Sequence, residues 1–382
     1  MVDEEERRAR LALSCVVEPG DLRLRERLRT TTPTQVWAAL EAGLGELAWR
    51  RRAAVLDLDD VQRRAERHRL RFLVPGDPGW PAGVADLAHS EPVSDSGGTP
   101  LGLWVRGPGD LDLLTRGAVA VVGARTSTAY GDRTAAEIGE GLARAGRTVV
   151  SGGAFGIDAA AHRGVLAADG PTVAVLARGL DEMYPRAHTG LLAEVEAHGV
   201  LVSEVPPGEH PTRRRFLTRN RLIAALSDGV VVVEAGARSG ARNTVTWAST
   251  LGRPVMAVPG PVSSAASYTP HRLIRDQEAM LVTCAEEVLE MVAPMGECLV
   301  SHASRTRLLD TVGPDEIAVY EALPSRGSRA TGEVSLRAGL SLPEAMVALE
   351  SLRARGMVAA AEDGGWKLGR VQDQPVPAIG TD

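Results

Sequence analysis

The middle of the chain, from about Leu101 to Val292, alternates short apolar runs with segments of helical periodicity. The apolar runs are continuous rather than alternating with polar residues, which is typical of strands that are buried on both faces. Strands separated by helices predict an α/β fold with a Rossmann-like, doubly wound parallel sheet. The predicted strands are Ala118–Val122, Thr148–Ser151, Thr172–Leu176, Leu201–Glu204, Val230–Glu234 and Val255–Val258. The helical segments between them are Asp132–Ala145, Asp158–Ala168, Leu191–Ala197 and Thr244–Leu251.

The two flanks of this region have different patterns. The first 75 residues predict a small helical domain, in which Thr32-Pro33 and Asp57-Leu58 mark helix starts. Glu91–Pro100 is rich in Gly, Pro and Ser and predicts a flexible loop. Asp315–Leu368 predicts three helices and a small hairpin, which is the pattern of a winged-helix domain. The predicted domains are therefore 1–75, 76–295 and 314–370, with a linker at 296–313 and a disordered tail at 371–382.

Several classes of protein are disfavoured by composition. No apolar run reaches the roughly 18 residues that a membrane span requires, and the charged start of the chain does not resemble a signal peptide. Cys15, Cys284 and Cys298 lie far apart and form no CxxC pair. We therefore expect a reduced, cytoplasmic protein that contacts no membrane and needs no metal or cofactor.

The overall charge and the local charge point in opposite directions. The net charge of −6, from 43 basic and 49 acidic residues, argues against nucleic-acid binding. Val205–Arg221, however, contains five arginines and one glutamate within 17 residues. This excess of arginine either reflects genome composition or serves phosphate recognition and base stacking, for which arginine is well suited.

Ligands of parallel α/β sheets bind at the carboxyl ends of the strands, so the loops after the predicted strands are candidate sites. Gly123 directly follows the first strand, and the amides after it precede a helix, where they are suited to hold an anion. Arg125 adds a bidentate phosphate donor. The alternative is an ordinary turn with a solvated arginine.

The second strand ends in a glycine-rich loop, Ser151–Asp158. Its glycines allow the backbone to surround a phosphate. Asp158 is more typical of a helix cap than of a catalytic acid. Asp158 and His162 lie four residues apart, but two residues are too few for a metal site.

The most informative segment is Arg213–Arg221, which places Phe216 among arginines. Basic groups neutralise phosphates while an exposed aromatic ring stacks on a base. The alternative is a solvated charge run with Phe216 in the core. Arg219 and Arg221 are equally suited to ion pairs with Glu204 and Glu234.

The loop Glu234–Gly240 brings small residues to the start of a helix that contains Asn243 and Thr244. We interpret Glu234 as an anchor for Arg221 rather than as a general base. The loops contain no GxSxG motif and no Ser-His-Asp order. No reaction centre is therefore predicted.

Taken together, these loops resemble the bacterial DNA-processing family DprA/Smf. The resemblance is carried by VAVVGART, SGGAFGIDAAAHRG, TVAVLARGLDEMYP, LVSEVPPG, FLTRNRLIAALSDGVVVVEA, SGARNT and AVPGPV, in this order between Val119 and Val262. It implies binding and protection of single-stranded DNA and loading of the RecA recombinase in natural transformation or homologous recombination. It also implies a homodimer through the Rossmann-like domain and no enzymatic activity. The DNA contacts that it implies are Gly123, Arg125, Gly152, Gly156, Arg213, Phe216, Arg219, Asn220 and Arg221, with Ser239 and Gly240 lining the same face.

The chain departs from the family pattern at Ala124, Gly153 and Phe155, and also at Tyr268–His271 and Val17–Gly20. Ala124 replaces a hydroxyl residue, and the missing hydroxyl removes one phosphate hydrogen bond, worth about 1 kcal/mol. Gly153 and Phe155 stand where many members have Leu and Arg. Phe155 therefore either exchanges a phosphate contact for a stacking surface or simply removes a contact.

Two rival functions are disfavoured by the motifs. The related LOG phosphoribohydrolases carry a PGGxGTxxE signature, which the segment Ala235–Ala248 lacks. A transcription factor acting through the winged helix is disfavoured by Glu344 and Glu350 on its third helix, because acidic residues repel phosphate.

Overall fold

The computed structural model describes residues 2–293 and 312–369. The chain divides into two compact units, Met1–Val300 and Ser301–Asp382. The predicted tail, and all but the last two residues of the predicted linker, lie outside the described residues. No helix in the described part of the chain is long and apolar enough to cross a membrane.

The larger unit is built on one mixed sheet. Its strands are β1 (Arg71–Leu73), β2 (Leu103–Arg106), β3 (Val119–Val122), β4 (Val149–Ser151), β5 (Thr172–Leu176), β6 (Val200–Ser203), β7 (Gly229–Val232), β8 (Val255–Ala257) and β9 (Met280–Leu281). They are ordered β1-β2-β6-β5-β4-β3-β7-β8-β9. The strands from β6 to β9 in this order are parallel, whereas β1 and β2 are antiparallel additions at one edge. The predicted, largely parallel α/β sheet is therefore confirmed.

All six predicted strands are present, with ends shifted by at most two residues. The strands β1, β2 and β9 were not predicted. They lie towards the two edges of the sheet and are only two to four residues long. β1 is partly exposed and β9 is exposed, so neither has the wholly buried, apolar pattern that marks a central parallel strand.

Helices cover both faces of the sheet, and the first part of the chain is also helical. Their bounds are α1 (Glu4–Val16), α2 (Leu22–Arg27), α3 (Pro33–Glu41), α4 (Leu47–Ala53), α5 (Leu58–Arg67), α6 (Leu111–Thr115), α7 (Ala129–Arg144), α8 (Ile157–Ala167), α9 (Thr189–His198), α10 (Arg213–Ala225), α11 (Ala241–Thr250), α12 (Tyr268–Arg275) and α13 (Ala285–Val292). Thr32 and Asp57 accept hydrogen bonds from the first turns of α3 and α5, which confirms both predicted helix starts.

Alternate residues of the central strands face two separate cores. Val119 and Val121 of β3 pack with α7, α8 and α13. Ala120 and Val122 of the same strand pack with α10, α11 and α12. Because both faces are covered, these strands contain almost no polar residues, and this is the pattern that made them predictable.

The N-terminal helices belong to the same compact unit as the sheet. Arg7 on α1 forms an ion pair with Asp77, with a 2.5 Å contact between Nη2 and Oδ1. Glu18, just after α1, accepts from Nε of Arg215 at 2.9 Å. The strand β1, which falls inside the predicted helical domain, pairs with β2 in the sheet.

The arginine-rich segment was interpreted as part of a strand-end loop, and this interpretation is wrong. Arg213–Ala225 is the helix α10, and the side chain of Thr212 caps it by accepting from the amide of Arg215. The last turn of the helix, residues 222–225, is apolar and buried, with Leu222 and Ile223 in the core. The charged first half conceals this helical pattern in the sequence.

The smaller unit contains three helices and a two-stranded hairpin, as predicted for this segment. They are α14 (Pro314–Ala322), α15 (Thr331–Ala338), α16 (Leu342–Ala354), β10 (Val358–Ala360) and β11 (Trp366–Leu368). Val319, Val334 and Leu349 form the centre of its hydrophobic core. Ser341 and Glu344 form a capping box at the start of α16.

The segment Glu91–Pro100, predicted as a flexible loop, contains a tight turn. Ser94 and Asp95 both have positive φ, of 51° and 57°. Ser96 is buried, and its hydroxyl lies 3.2 Å from Oγ1 of Thr218 on α10. This contact holds the turn against the helix that carries the arginines.

Candidate functional site

An open cleft of about 1110 Å³ lies at the carboxyl edge of the parallel strands. From β3 the chain winds through β4, β5 and β6 in one direction and through β7, β8 and β9 in the other. The loops after β3 and β7 therefore diverge, and a crevice forms between them. The first turns of α10 and α11 complete its walls.

Eight of the eleven predicted site residues line this cleft. They are Gly123, Arg125, Arg213, Phe216, Arg219, Asn220, Ser239 and Gly240. The structure thus brings together residues from two loops and a helix that are far apart in sequence. Gly152, Gly156 and Arg221 lie outside its lining.

Arg125 and Phe216 are in direct contact within the cleft. The guanidinium carbon of Arg125 lies 4.5 Å from the centroid of the Phe216 ring, which is the geometry of a cation–π contact. Phe216 is half-buried rather than enclosed in the core. The ring of Tyr184 lies 6.3 Å from it and is 40% exposed. A planar group entering the cleft therefore meets two aromatic rings and a cation.

The cleft is strongly basic although the whole protein is acidic. Among the described residues, its lining contains five arginines and a single carboxylate, that of Asp158. Arg125, Arg213 and Arg238 are exposed, and no described carboxylate forms an ion pair with them. An anionic chain is attracted to such a concentrated positive field.

Only part of this charge comes from the segment that the sequence singled out. In Val205–Arg221, Arg213 and Arg214 are exposed, whereas Arg215, Arg219 and Arg221 are buried. Of the other arginines in the lining, Arg125 and Arg238 lie in the loops after β3 and β7, and Arg242 lies in the first turn of α11. Val205–Arg221 therefore presents fewer positive charges to a ligand than its sequence suggests.

Carboxylates of the chain itself bind amides in both loops that were expected to hold phosphate. Glu234 accepts from the amide of Thr128 at 2.8 Å and from its hydroxyl at 2.7 Å, at the start of α7. Asp158 accepts from the amides of Gly152 and Ala154 at 3.1 and 3.4 Å. The amides of Thr128, Gly152 and Ala154 are therefore already paired with carboxylates.

The same contacts correct two interpretations of acidic residues. Glu234 was expected to anchor Arg221, but it anchors Thr128 instead. Asp158 lies in the first turn of α8 and binds loop amides from there, rather than acting as the N-cap. Burial raises the pKa of Asp158, and the positive charge of Arg219 opposes this shift.

Two glycines allow the loops after β3 and β4 to touch. A Cβ on Gly156 would lie 2.3 Å from the carbonyl oxygen of Ala124, and the residue has φ of 76°. A Cβ on Gly123 would lie 2.5 Å from Cγ1 of Ile157. Both residues therefore shape the cleft through close backbone packing.

Arg219 builds the floor of the cleft. It is only 7% exposed, and its guanidinium donates to the carbonyl oxygens of Gly152, at 2.9 Å, and of Val175. Burial lowers its pKa to about 10, although the charge of Asp158 partly offsets that effect. Arg219 therefore joins α10 to the ends of β4 and β5, and little of its charge reaches solvent.

Arg221 has a structural role. Its side chain is fully buried, and Nη2 lies 2.5 Å from Oε2 of Glu204. The predicted ion pair between Arg221 and Glu204 is thus confirmed. The prediction that Arg221 contacts DNA is wrong, because its guanidinium does not reach the surface. Gly152 is buried as well, with its N–H bound to Asp158 and its carbonyl to Arg219.

The sequence reasoning missed several residues of the cleft. Tyr184, Arg238 and Arg242 all line it. The signal for Tyr184 was its position after a central strand, at the same edge as Phe216. Asn243 was not assigned a role, yet it accepts from Asn220 and donates to Ser94, both at 3.2 Å.

His162 does not join the cleft, and it forms no pair with Asp158. It is fully buried, with Nδ1 2.8 Å from Oγ1 of Thr172. Burial lowers its pKa to about 3, so the ring is neutral. Within residues 2–293 and 312–369, no group of three or more His, Cys, Asp or Glu residues is arranged to hold a metal ion.

Comparison with known proteins places these features in context. The family model of DNA recombination-mediator protein A matches residues 71–293. A relative from Mycobacterium tuberculosis that bears the name DNA processing protein DprA is 42% identical over 368 residues, or 94% of each chain. Protein Smf of Escherichia coli is 39% identical over 69% of this chain and 71% of its own. The X-ray structure of DprA from Streptococcus pneumoniae matches with a TM-score of 0.62 at 30% identity, over 77% of this chain and 100% of that chain.

Proposed function

The chain belongs to the family of DNA recombination-mediator protein A, and on that premise we propose that it binds single-stranded DNA in the cleft. The observation that carries the proposal is the contact between Arg125 and Phe216 in a basic crevice. Exposed arginines neutralise the phosphates of a strand, and an accessible ring stacks on one of its bases.

The aromatic rings favour a single strand over a duplex. Phe216 and Tyr184 line the inside of the cleft rather than an outer surface. A base has to leave its stack before it can pack against a ring in this position. A duplex would have to open first, and unstacking costs a few kcal/mol for each step.

The direct test compares single-stranded and duplex oligonucleotides of equal length by fluorescence anisotropy at several salt concentrations. We expect the single strand to bind more tightly, with an affinity that falls as salt rises. Equal affinity for both forms, or no dependence on salt, would overturn the proposal.

For the wider role, we propose that the protein protects single-stranded DNA and loads RecA onto it during recombination or transformation. The description of the family as a recombination mediator supports this role. Assembly of RecA filaments on oligonucleotides coated with single-strand-binding protein should accelerate when the protein is added. An unchanged assembly rate would refute the loading role and leave DNA binding intact.

The remaining features of the proposal rest on the resemblance to the DprA/Smf family. They are a homodimer through the Rossmann-like domain, a SAM-like N-terminal region, a C-terminal winged helix, a cytoplasmic location and a non-enzymatic mode of action. Light scattering of the purified chain tests the dimer directly. Incubation with nucleoside monophosphates followed by chromatography tests for release of a free base, which a non-enzymatic protein does not produce.

A further inference from the structure

Phe155 is an exposed aromatic residue that the cleft does not include. It lies between β4 and α8 and is 47% exposed. One side of its ring packs on His188, with the two ring centroids 4.4 Å apart. His188 is itself buried, and its Nδ1 lies 3.3 Å from the carbonyl oxygen of Gly153. The phenyl ring is therefore held on a fixed support while it remains open to solvent.

The loop that carries Phe155 lies directly beside Arg125. The amide of Ile157 donates to the carbonyl oxygen of Ala124 at 3.2 Å. The backbone of Gly156 lies so close to that of Arg125 that a Cβ would come within 2.8 Å of its carbonyl oxygen. Phe155 therefore stands next to the residue that contacts the Phe216 ring.

The support of Phe155 is also linked to the cleft. His188 follows Tyr184, which lies 6.3 Å from Phe216, by four residues. Arg186, between the two, is exposed. Aromatic rings and cations thus continue from the cleft across the carboxyl ends of β4 and β5.

We propose that Phe155 is a second stacking site, which takes an unpaired base of the strand held at Phe216. This inference rests on the proposed single-stranded DNA binding. A stacked base would cover the open part of the ring, and Arg186 would lie near the adjoining phosphates. Stacking of this kind is tolerant of sequence because every base has a π-face.

Two separate stacking sites make the role of Phe155 depend on oligonucleotide length. A strand of about two nucleotides has too few bases to fill the cleft at Phe216 and stack on Phe155 as well, whereas one of about 16 nucleotides reaches both sites. Phe155→Ala should weaken binding of the long dT oligomer about 10-fold, or about 1.4 kcal/mol, and change that of the short one less than about 2-fold, since only the long oligomer loses a stacked base.

Anisotropy titrations of the wild type and three variants at this position test this expectation. Phe155→Tyr keeps a ring and should bind both oligomers as the wild type does, whereas Phe155→Leu keeps apolar bulk alone and should behave like Phe155→Ala. The matched control is Leu113→Ala, because Leu113 is 63% exposed on α6, which precedes β3 at the opposite edge of the sheet.

The outcomes separate this inference from the proposed function. If the wild type binds the oligomers and Phe155→Ala binds both equally well, the second stacking site is refuted alone. An equal loss of affinity for short and long oligomers also refutes it, because Phe155 would then act through the cleft itself. If the wild type binds neither oligomer, the proposed function fails and this inference fails with it.

Discussion

The guanidinium of Arg125 lies against the ring of Phe216, 4.5 Å from its centroid, although the two residues come from different elements of the fold. Arg125 follows a central strand, and Phe216 stands in the first turn of a helix that returns to the same edge. The contact holds a phosphate-binding group beside a base-stacking surface. A nucleotide carries its phosphate close to its base, so this arrangement offers a partner to both groups of one nucleotide.

The contact predicts that the two residues act as a unit in DNA binding. Phe216→Ala should weaken single-strand binding by about 1–3 kcal/mol, which is the usual contribution of one stacked base. Arg125→Ala should also weaken it. The double variant should lose less than the sum of the two, because each single change already disrupts the shared contact. Anisotropy titrations of the wild type, both single variants and the double variant measure this coupling, and strict additivity would show that the residues act separately.

The exposed arginines predict a change in salt dependence. Arg213→Ala and Arg238→Ala should each reduce the slope of log affinity against log salt by about 0.7 for every phosphate that the variant no longer neutralises. Arg144→Ala is the matched control, because this exposed arginine ends α7, about 24 Å along the helix from the cleft. If all three variants had the wild-type slope, the cleft would not be the phosphate-binding surface.

The buried ion pair of Arg221 and Glu204 predicts a loss of stability that depends on pH. Arg221→Met should reduce the free energy of unfolding by about 3–5 kcal/mol, because it leaves Glu204 buried without a partner. Burial already raises the pKa of Glu204, and Arg221 opposes that shift, so its removal raises the pKa further. When a carboxyl group has a higher pKa in the folded state than in the unfolded state, the protein loses stability as the pH rises from the unfolded-state pKa through the folded-state pKa.

The penalty of Arg221→Met should therefore be smaller at about pH 5 than at about pH 8, as measured by urea unfolding. Combining it with Glu204→Gln should recover part of the stability, because no buried charge remains. An identical penalty at both pH values would contradict this account. The salt slope of DNA binding should stay at the wild-type value, since Arg221 does not reach the cleft.

The packing of the two glycine loops predicts a specific intolerance at Gly156. Gly156→Ala should destabilise the protein by at least about 1–3 kcal/mol from backbone strain alone, because φ is 76°. The displaced loop should also weaken DNA binding. Gly190→Ala is the control, since this glycine lies within α9 and a Cβ there meets nothing within 4 Å. Equal melting temperatures for the two variants would show that the loops are not tightly packed.

The central architecture followed from the sequence because local chemistry is enough to specify it. A parallel strand covered on both faces has to be almost entirely apolar, so β3 to β8 appeared as continuous runs. Gly123, Arg125 and Phe216 were located because the topology of such a sheet brings strand-end loops to one edge. The order of the loop motifs along the chain then led to the family through resemblance.

Tertiary packing decided where each charged side chain lies and which groups it contacts. Arg213 and Arg221 stand eight positions apart in one basic segment, yet the first lines the cleft and the second is fully buried against Glu204. Likewise, Glu234 and Asp158 bind the loop amides that were expected to be free for phosphate. These outcomes depend on which distant segments pack around a side chain. Local sequence specifies that a residue is charged, whereas only the folded chain determines whether that charge meets solvent, a ligand or another buried charge.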